Sequence, residues 1–345
     1  MADAVNTYNN ATGVFITDIA RGSLHDGPGV RSVVYYKGCT LRCAWCHNPE
    51  TLSPEPEILA YPARCIGCGR CASVCPLSCH IIKIVGDGGE ESYRGEISCR
   101  GNSGYRSENE RRRRFEHTYD RERCGCCGKC AEACPGEALV ICGKKRSPAD
   151  LFAELIKDKV YYRRTGGGVT LSGGECLLYP DDAAALLELL KAGGVHTVVE
   201  TSLCVPWLHV EKVAPLTDVF LVDIKHMDSG KHAEYTGRGN ELILENLRKL
   251  SAVHNDVTIR TPLIPGVNDD FENLSQTARA ALSIGGGIRR MELLKYNTLG
   301  ASKYAALGQK AAVFAPRAQS DAEMDEKCAT LNQSLSLKNF IFYRA

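Results

Sequence analysis

Eleven of the eighteen cysteines in this 345-residue chain fall into three regularly spaced groups, and no other feature restricts its folding as strongly. Cys65, Cys68, Cys71 and Cys75 read C-x2-C-x2-C-x3-C with Pro76 after them, and Cys124, Cys127, Cys130 and Cys134 repeat the pattern before Pro135. That run is the bacterial ferredoxin pattern, in which three cysteines hold one [4Fe–4S] cluster and the fourth crosses to a second. Cys134 is thus expected to complete the cluster of Cys65, Cys68 and Cys71, and Cys75 that of Cys124, Cys127 and Cys130. Two zinc sites would need four ligands each without the trailing Cys-Pro, which makes zinc the weaker reading. The third group is shorter. Cys39, Cys43 and Cys46 read C-x3-C-x2-C inside Gly38-Cys-Thr-Leu-Arg-Cys-Ala-Trp-Cys-His-Asn-Pro. Three thiolates leave one iron of a cubane open, and an open position marks a reactive metal site rather than a structural one.

The bulk properties exclude other uses for so many thiols. Disulfide scaffolds are short secreted chains, and this one is long. Residues Met1 to Gly13 are polar and lack the apolar core of a leader peptide. No apolar run approaches the length of a membrane span. The thiols therefore imply metal ligands in a reducing, anaerobic cytoplasm. A net charge of +1 gives no global case for nucleic acid or an anionic membrane. With 44% hydrophobic residues, the chain can bury the core of one large α/β domain beside a small one. Cys126 sits between ligands as a bystander, and Cys79, Cys99, Cys142, Cys204 and Cys328 read as ordinary packed or surface thiols.

Three zones follow. Residues 1–55 carry the strand-like Val33-Val-Tyr-Tyr36 and the first cysteine group. Residues 56–145 form a duplicated, two-cluster ferredoxin-like insert. Residues 146–345 alternate strand and helix signals. A helix is expected from Ala149 to Tyr162, and a second from Pro180 to Gly193. Continuous apolar runs recur at Val169-Thr-Leu, Thr197-Val-Val, Val219-Phe-Leu-Val, Val257-Thr-Ile and Met291-Glu-Leu-Leu. Such runs between helices predict a parallel sheet buried on both faces. With Val33–Tyr36 there are six, too few to close an eight-stranded barrel. The expected fold is α/β: a partial (β/α)6 TIM-type barrel, with chemistry at the carboxyl ends of its strands. Between the cysteine runs, residues 86–123 balance nine acidic against nine basic residues, with Arg111 to Arg114 consecutive. That composition reads as a solvated loop, with a docking patch for a partner as the sharper alternative.

Several short motifs lie at the expected strand ends. They are Ser23-Leu-His-Asp-Gly-Pro-Gly-Val-Arg31, Ser172-Gly-Gly-Glu175, Val199-Glu-Thr-Ser202, Val222-Asp-Ile-Lys-His-Met-Asp228, Ile259-Arg-Thr-Pro262 and Leu293-Leu-Lys-Tyr-Asn297. Glycines at Gly173 and Gly174 permit close backbone approach, and a following carboxylate can hold an ammonium group. Lys225, beside Asp223, can neutralise a carboxylate. Together with the three-cysteine loop, and in this order from about Thr17 to Gly308, the motifs closely resemble the glycyl-radical-enzyme activating enzymes of the radical SAM superfamily. The two-cluster insert is similar to that of the larger subgroup.

The resemblance implies S-adenosylmethionine at the open iron. It places Gly173, Gly174 and Glu175 at the methionine end and Lys225 at its carboxylate. Glu200, Thr201 and Asp223 fall near the methionine and a monovalent cation. Arg260 falls near the cofactor, and Trp45 and His47 near the adenine. Two positions depart from the family pattern. Cys176 stands where Pro or Ala follows Gly-Gly-Glu, and Asn297 stands where a histidine reaches the ribose. The chemistry implied is reductive cleavage of the S–C5′ bond, the resulting 5′-deoxyadenosyl radical taking a Cα hydrogen from a glycine of a partner enzyme. Flavodoxin or ferredoxin would be the reductant, and three [4Fe–4S] clusters are expected in all. Alternatives are a radical SAM enzyme acting on a small molecule or peptide, and a ferredoxin-like electron-transfer protein.

Overall fold

A computed structural model describes residues 13–86, 89–93, 114–314, 317–338 and 340–343. The polar start of the chain, Cys99 and most of the charged stretch, Arg111 to Arg113 included, lie outside the described residues. The described strands are β1 (Val14–Ser23), β2 (Arg31–Tyr36), β3 (Glu57–Ala60), β4 (His80–Gly86), β5 (Gly89–Tyr93), β6 (Arg114–Tyr119), β7 (Leu139–Cys142), β8 (Lys144–Arg146), β9 (Gly168–Gly173), β10 (His196–Thr201), β11 (Val219–Asp223), β12 (Val257–Pro262), β13 (Ile288–Leu294) and β14 (Ile341–Tyr343). Two compact units result, one of residues 1–55, 143–301 and 311–345, the other of residues 56–142 and 302–310.

The first unit is built on a nine-stranded sheet in the order β14-β13-β12-β11-β10-β9-β2-β1-β8. From β2 through β9 to β14 every pairing is parallel, and β1 is antiparallel to both β2 and β8. The order has two ends, so the sheet does not close into a full barrel. All six expected strands are present. β14 escapes notice in the sequence because three residues are too short for a pattern, and β1 because its outer half turns polar.

Helices cross between the parallel strands and cover the sheet. Pro180–Ala192 begins with Pro180 at its first position and Asp181 and Asp182 in its first turn, and it buries Leu186, Leu187, Leu189 and Leu190. The helix expected from Ala149 to Tyr162 is in fact two, Pro148–Leu155 and Lys159–Thr165, with a tight turn at Ile156–Asp158 between them. The turn brings Asp158 to Arg21 and, at 3.3 Å, to the Ser32 hydroxyl, which tie it to β1 and β2. A capping box of Ser147 and Asp150 starts the first helix.

The second unit is antiparallel. β3 pairs with β7, and β4 lies between β5 and β6. Two short helices, Arg70–Val74 and Lys129–Glu132, each follow a glycine at positive φ, Gly69 and Gly128. Ile58, Cys71, Ile82, Cys130 and Leu139 form its core. Among the described residues, no helix is long and apolar enough to cross a membrane.

Candidate functional site

Six neighbouring parallel strands bring their carboxyl ends to one rim. β2 runs through Lys37 and Gly38 into the loop of Cys39, Cys43 and Cys46. That loop is tied back by Gly38 N–H donating to Thr51 O at 2.7 Å and by the Lys37 ammonium donating to Glu50 O at 2.6 Å. β9 ends at Gly173, β10 at Glu200 and Thr201, and β11 at Asp223 with Lys225 just beyond. β12 carries Arg260, and Asn297 follows β13. The reason is periodicity: in parallel strands that start together, the last residues reach the same edge.

These ends enclose a cavity of about 550 Å³. Cys39, Cys43 and Cys46 line it, with Trp45 and His47 from the same loop. Gly173, Gly174, Glu200 and Thr201 line it from β9 and β10, and Asp223, Lys225, Arg260 and Asn297 from the remaining strands. Residues 25–52 and 172–297 thus meet at one place. The sequence did not single out Asp26, Tyr35, Ser172 and Ser202 as site residues, yet they line the same cavity. Asp26, Ser172 and Ser202 stand inside motifs already noted, so their signal was positional.

Charge at the rim is arranged in pairs. Lys225 Nζ lies 2.5 Å from Asp223 Oδ2. Burial alone would lower the lysine pKa, but the Asp223 carboxylate, with Glu200, more than reverses this and holds Lys225 above its ordinary value, fully charged. Arg260, almost wholly buried, donates from Nη1 to Glu200 Oε1 at 2.8 Å, from Nε to Glu292 Oε2 at 2.7 Å and from Nη2 to His25 O. Ser172 donates to the other Glu200 oxygen at 2.5 Å. Burial, and next the Glu175 carboxylate, pushes the Cys39 thiol up to about 12; burial, and next Cys43, does the same for Cys46. Burial raises Cys43 as well. Without metal these thiols keep their protons, so metal binding must displace them.

Glu175 is placed differently from the expectation. It is 1% exposed and absent from the cavity lining. Its Oε1 accepts from Thr201 Oγ1 at 2.8 Å and Leu177 N at 3.2 Å, and its Oε2 accepts from Ser202 Oγ at 2.8 Å and Ser202 N at 3.0 Å. Four donors saturate the carboxylate, which binds the β9 loop to the β10 loop. The glycines before it join the cysteine loop, since Gly174 N donates to Tyr36 O at 2.9 Å and Glu175 N to Gly38 O at 2.8 Å.

The cavity suits a cluster with a polar organic ligand on it. Among the described residues, three thiols and no fourth line it. The Oδ1 of Asp223 and the Nε1 of Trp45 are buried with no hydrogen-bond partner among the described residues. Trp45 is held against Tyr235 and Phe314, with ring centroids 5.9 Å and 6.0 Å away. Asn297 accepts from Leu299 N at 3.2 Å, leaving its amide hydrogens for a ligand hydroxyl. Cys176, the other departure, is buried and its thiol points to Leu171 O and Glu200 O, away from the ligand space.

The second unit gathers the remaining cysteine runs. Cys75, Cys124, Cys127 and Cys130 line one cavity of about 50 Å³. Burial, with smaller contributions from Cys134 and Cys68, raises the pKa of the Cys65 thiol. The two runs also share backbone geometry. Cys79 N donates to Cys75 Sγ at 3.3 Å, and Ala138 N donates to Cys134 Sγ at 3.2 Å, each four residues after the run's last cysteine.

Three family models match the chain: a radical SAM superfamily domain over residues 123–278, a 4Fe-4S dicluster domain over residues 57–135 and a 4Fe-4S single-cluster domain over residues 25–79. The (2S)-3-sulfopropanediol dehydratase activating enzyme of Klebsiella oxytoca is 39% identical over 294 residues, 85% of this chain and 85% of that one. The benzylsuccinate synthase activating enzyme of Thauera aromatica is 36% identical over 296 residues, 85% of this chain and 82% of that one. The chain belongs to the glycyl-radical-enzyme activating enzymes of the radical SAM superfamily. A solved domain of the pyruvate-formate lyase-activating enzyme from Bacteroides vulgatus is 30% identical, with a TM-score of 0.42, over 51% of this chain and 99% of that one. As a member of this family the activating enzyme is an S-adenosylmethionine-dependent iron–sulfur enzyme. A bare electron-transfer protein is set aside.

Proposed function

We infer that this activating enzyme binds S-adenosylmethionine at a cluster held by Cys39, Cys43 and Cys46, and takes a Cα hydrogen from one glycine of a partner glycyl radical enzyme. The observation that carries this reading is a three-thiol wall facing Lys225, Asp223, Glu200 and Arg260 across one cavity. Once bound, cluster and S-adenosylmethionine supply one-electron chemistry that no side chain provides.

The chain's own residues bind and orient. Lys225, kept charged by Asp223, neutralises the methionine carboxylate. The backbone of Gly173 and Gly174 faces the methionine end, while Glu175 braces that loop from behind. Asp223 Oδ1, beside Glu200 and Thr201, is the place for the ammonium or a monovalent cation. Trp45 and His47 wall the adenine side, and Asn297 offers a donor to the ribose. Arg260 fixes Glu200 by a buried ion pair.

The insert reads as two further clusters, one on Cys65, Cys68, Cys71 and Cys134, the other on Cys124, Cys127, Cys130 and Cys75. Three clusters in all would let a flavodoxin or ferredoxin pass electrons inward, in an anaerobic cytoplasm. The domain reading remains residues 1–55 and 146–345 as a (β/α)6 partial barrel, with 56–145 inserted. The six strands β2 and β9 to β13 support it. The two relatives above are named for different targets, so partner choice rests on surfaces outside the shared cavity.

The test is anaerobic incubation of reconstituted enzyme with reductant, S-adenosylmethionine and candidate glycyl radical enzymes. A glycyl doublet by electron paramagnetic resonance, with 5′-deoxyadenosine and methionine formed, is the expected result. Nucleotide cleavage coupled to a small-molecule product, with no protein partner required, would refute the reading.

A further inference from the structure

The second unit contains an imidazole pair that no cysteine motif announces. His80 opens β4 and His117 lies in β6, and the antiparallel register sets His80 opposite Tyr119 and Ile82 opposite His117. The two histidines are therefore diagonal neighbours on one face of the ladder, within reach of each other. His80 Nδ1 is 3.1 Å from His117 Nε2. The His80 ring stacks on Tyr119 at a centroid distance of 4.7 Å and an angle of 14°, which fixes its plane. The same His117 Nε2 is 3.9 Å from Cys71 Sγ. His80 lines the small cavity of Cys75, Cys124, Cys127 and Cys130, and its Nε2 is buried with no hydrogen-bond partner among the described residues. One end of the pair thus touches a sulfur of one cysteine set, and the other end borders the second set.

The tautomers follow from the chemistry of Cys71. A metal-bound thiolate only accepts, so His117 Nε2 must carry its hydrogen and share it between Cys71 Sγ and His80 Nδ1. His80 Nδ1 is then the acceptor, and the neutral ring carries its own hydrogen on Nε2, beside the second cavity. We propose that His117 and His80 are positioning residues that donate hydrogen bonds to the two insert clusters, His117 to Cys71 Sγ and His80 to a sulfur of the cluster on Cys75, Cys124, Cys127 and Cys130, and thereby raise both reduction potentials. Hydrogen bonds to cluster sulfurs favour the more negative, reduced form. The inference rests on the two-cluster reading of the insert. The ligand atoms of Cys71, His80 and His117 also lie within 4.8 Å of one another, the spacing of a single metal ion. A Cys71 committed to an iron cluster leaves that alternative only two imidazoles.

The test is an anaerobic redox titration followed by electron paramagnetic resonance on the full, reconstituted chain, with iron and zinc counted per chain. Wild type is compared with H117F, H117Q and H80F. About twelve irons in the wild type agree with three cubanes; about four irons remove the two-cluster reading and the inference together. At full iron content, H117F is expected to move one insert-cluster midpoint to a more negative value and H80F the other. H117Q, whose amide still donates, is expected to recover part of the first shift, while the S-adenosylmethionine-dependent signal of the third cluster stays in place. Midpoints unmoved at full iron content overturn the inference and leave the two-cluster reading intact. One tightly bound zinc per chain in the wild type also overturns it. Should H117F load fewer irons, H80F, which removes no contact to Cys71, decides by the same criterion.

Discussion

A Cβ on Gly174 would stand 2.2 Å from the carbonyl oxygen of Gly38. The loop after β9 and the cysteine loop after β2 therefore meet backbone to backbone, with no room for a side chain between them. The distance between the three thiols and the strand ends facing them is set by this contact. Gly174→Ala must push the two loops apart. Displacements near 1 Å cost on the order of a hundredfold in rate. The expected outcome is a comparable fall in S-adenosylmethionine cleavage with insert-cluster iron retained, checked by product chromatography and iron analysis.

Glu175 separates bracing from binding. Its four acceptor bonds are all internal. Glu175→Gln turns an amide N–H toward donors and leaves buried groups unmatched, at a cost of about 1–3 kcal/mol. Thermal denaturation should show the loss. Binding of S-adenosylmethionine to the folded variant should weaken far less than in Lys225→Gln, as calorimetry on both variants would measure.

Arg260 joins β12 to Glu200 on β10 and Glu292 on β13 through a planar fork. A lysine keeps the charge but not the geometry. Breaking such a buried pair typically costs about 3–5 kcal/mol. Arg260→Lys is expected to approach that figure in denaturant unfolding, with cleavage activity lost at temperatures where the wild type is fully active.

His196 gives the fold an acid-sensitive contact away from the clusters. Burial, and next the Arg31 guanidinium with Nη1 3.3 Å from Nδ1, holds its pKa below the ordinary 6.5. The unfolded chain therefore takes up a proton near 6.5 that the folded chain refuses. The stabilisation is complete above that value and is lost as pH falls from there through the lower folded pKa. His196→Gln should flatten the decline in melting temperature over this acid range and leave the profile above pH 7 unchanged. An equal decline in the variant would exclude His196 as its source.

On the proposed reading, removing any one of Cys39, Cys43 or Cys46 deprives a cluster of one of only three ligands. Alanine at Cys43 is expected to lower iron by about four atoms per chain and to abolish S-adenosylmethionine cleavage under dithionite. Residual cleavage at wild-type rate would place the reactive metal elsewhere.

Much of this molecule is written locally. The short spacing of Cys39, Cys43 and Cys46 brings three thiols onto one loop, and that much is legible along the chain. Apolar runs such as Val219-Phe-Leu-Val declare a sheet buried on both faces, and parallel pairing then brings Glu200, Asp223 and Arg260 to one edge. Other features have no local signature. That Glu175 turns from the ligand space toward Thr201 and Ser202, or that His80 meets His117, depends on which strands become neighbours and in what register. The sequence determined which residue types stand at each strand end, because secondary structure follows short-range pattern. Only the tertiary structure decided where each buried polar group finds its partner, because those partners lie tens of residues away and are chosen by packing.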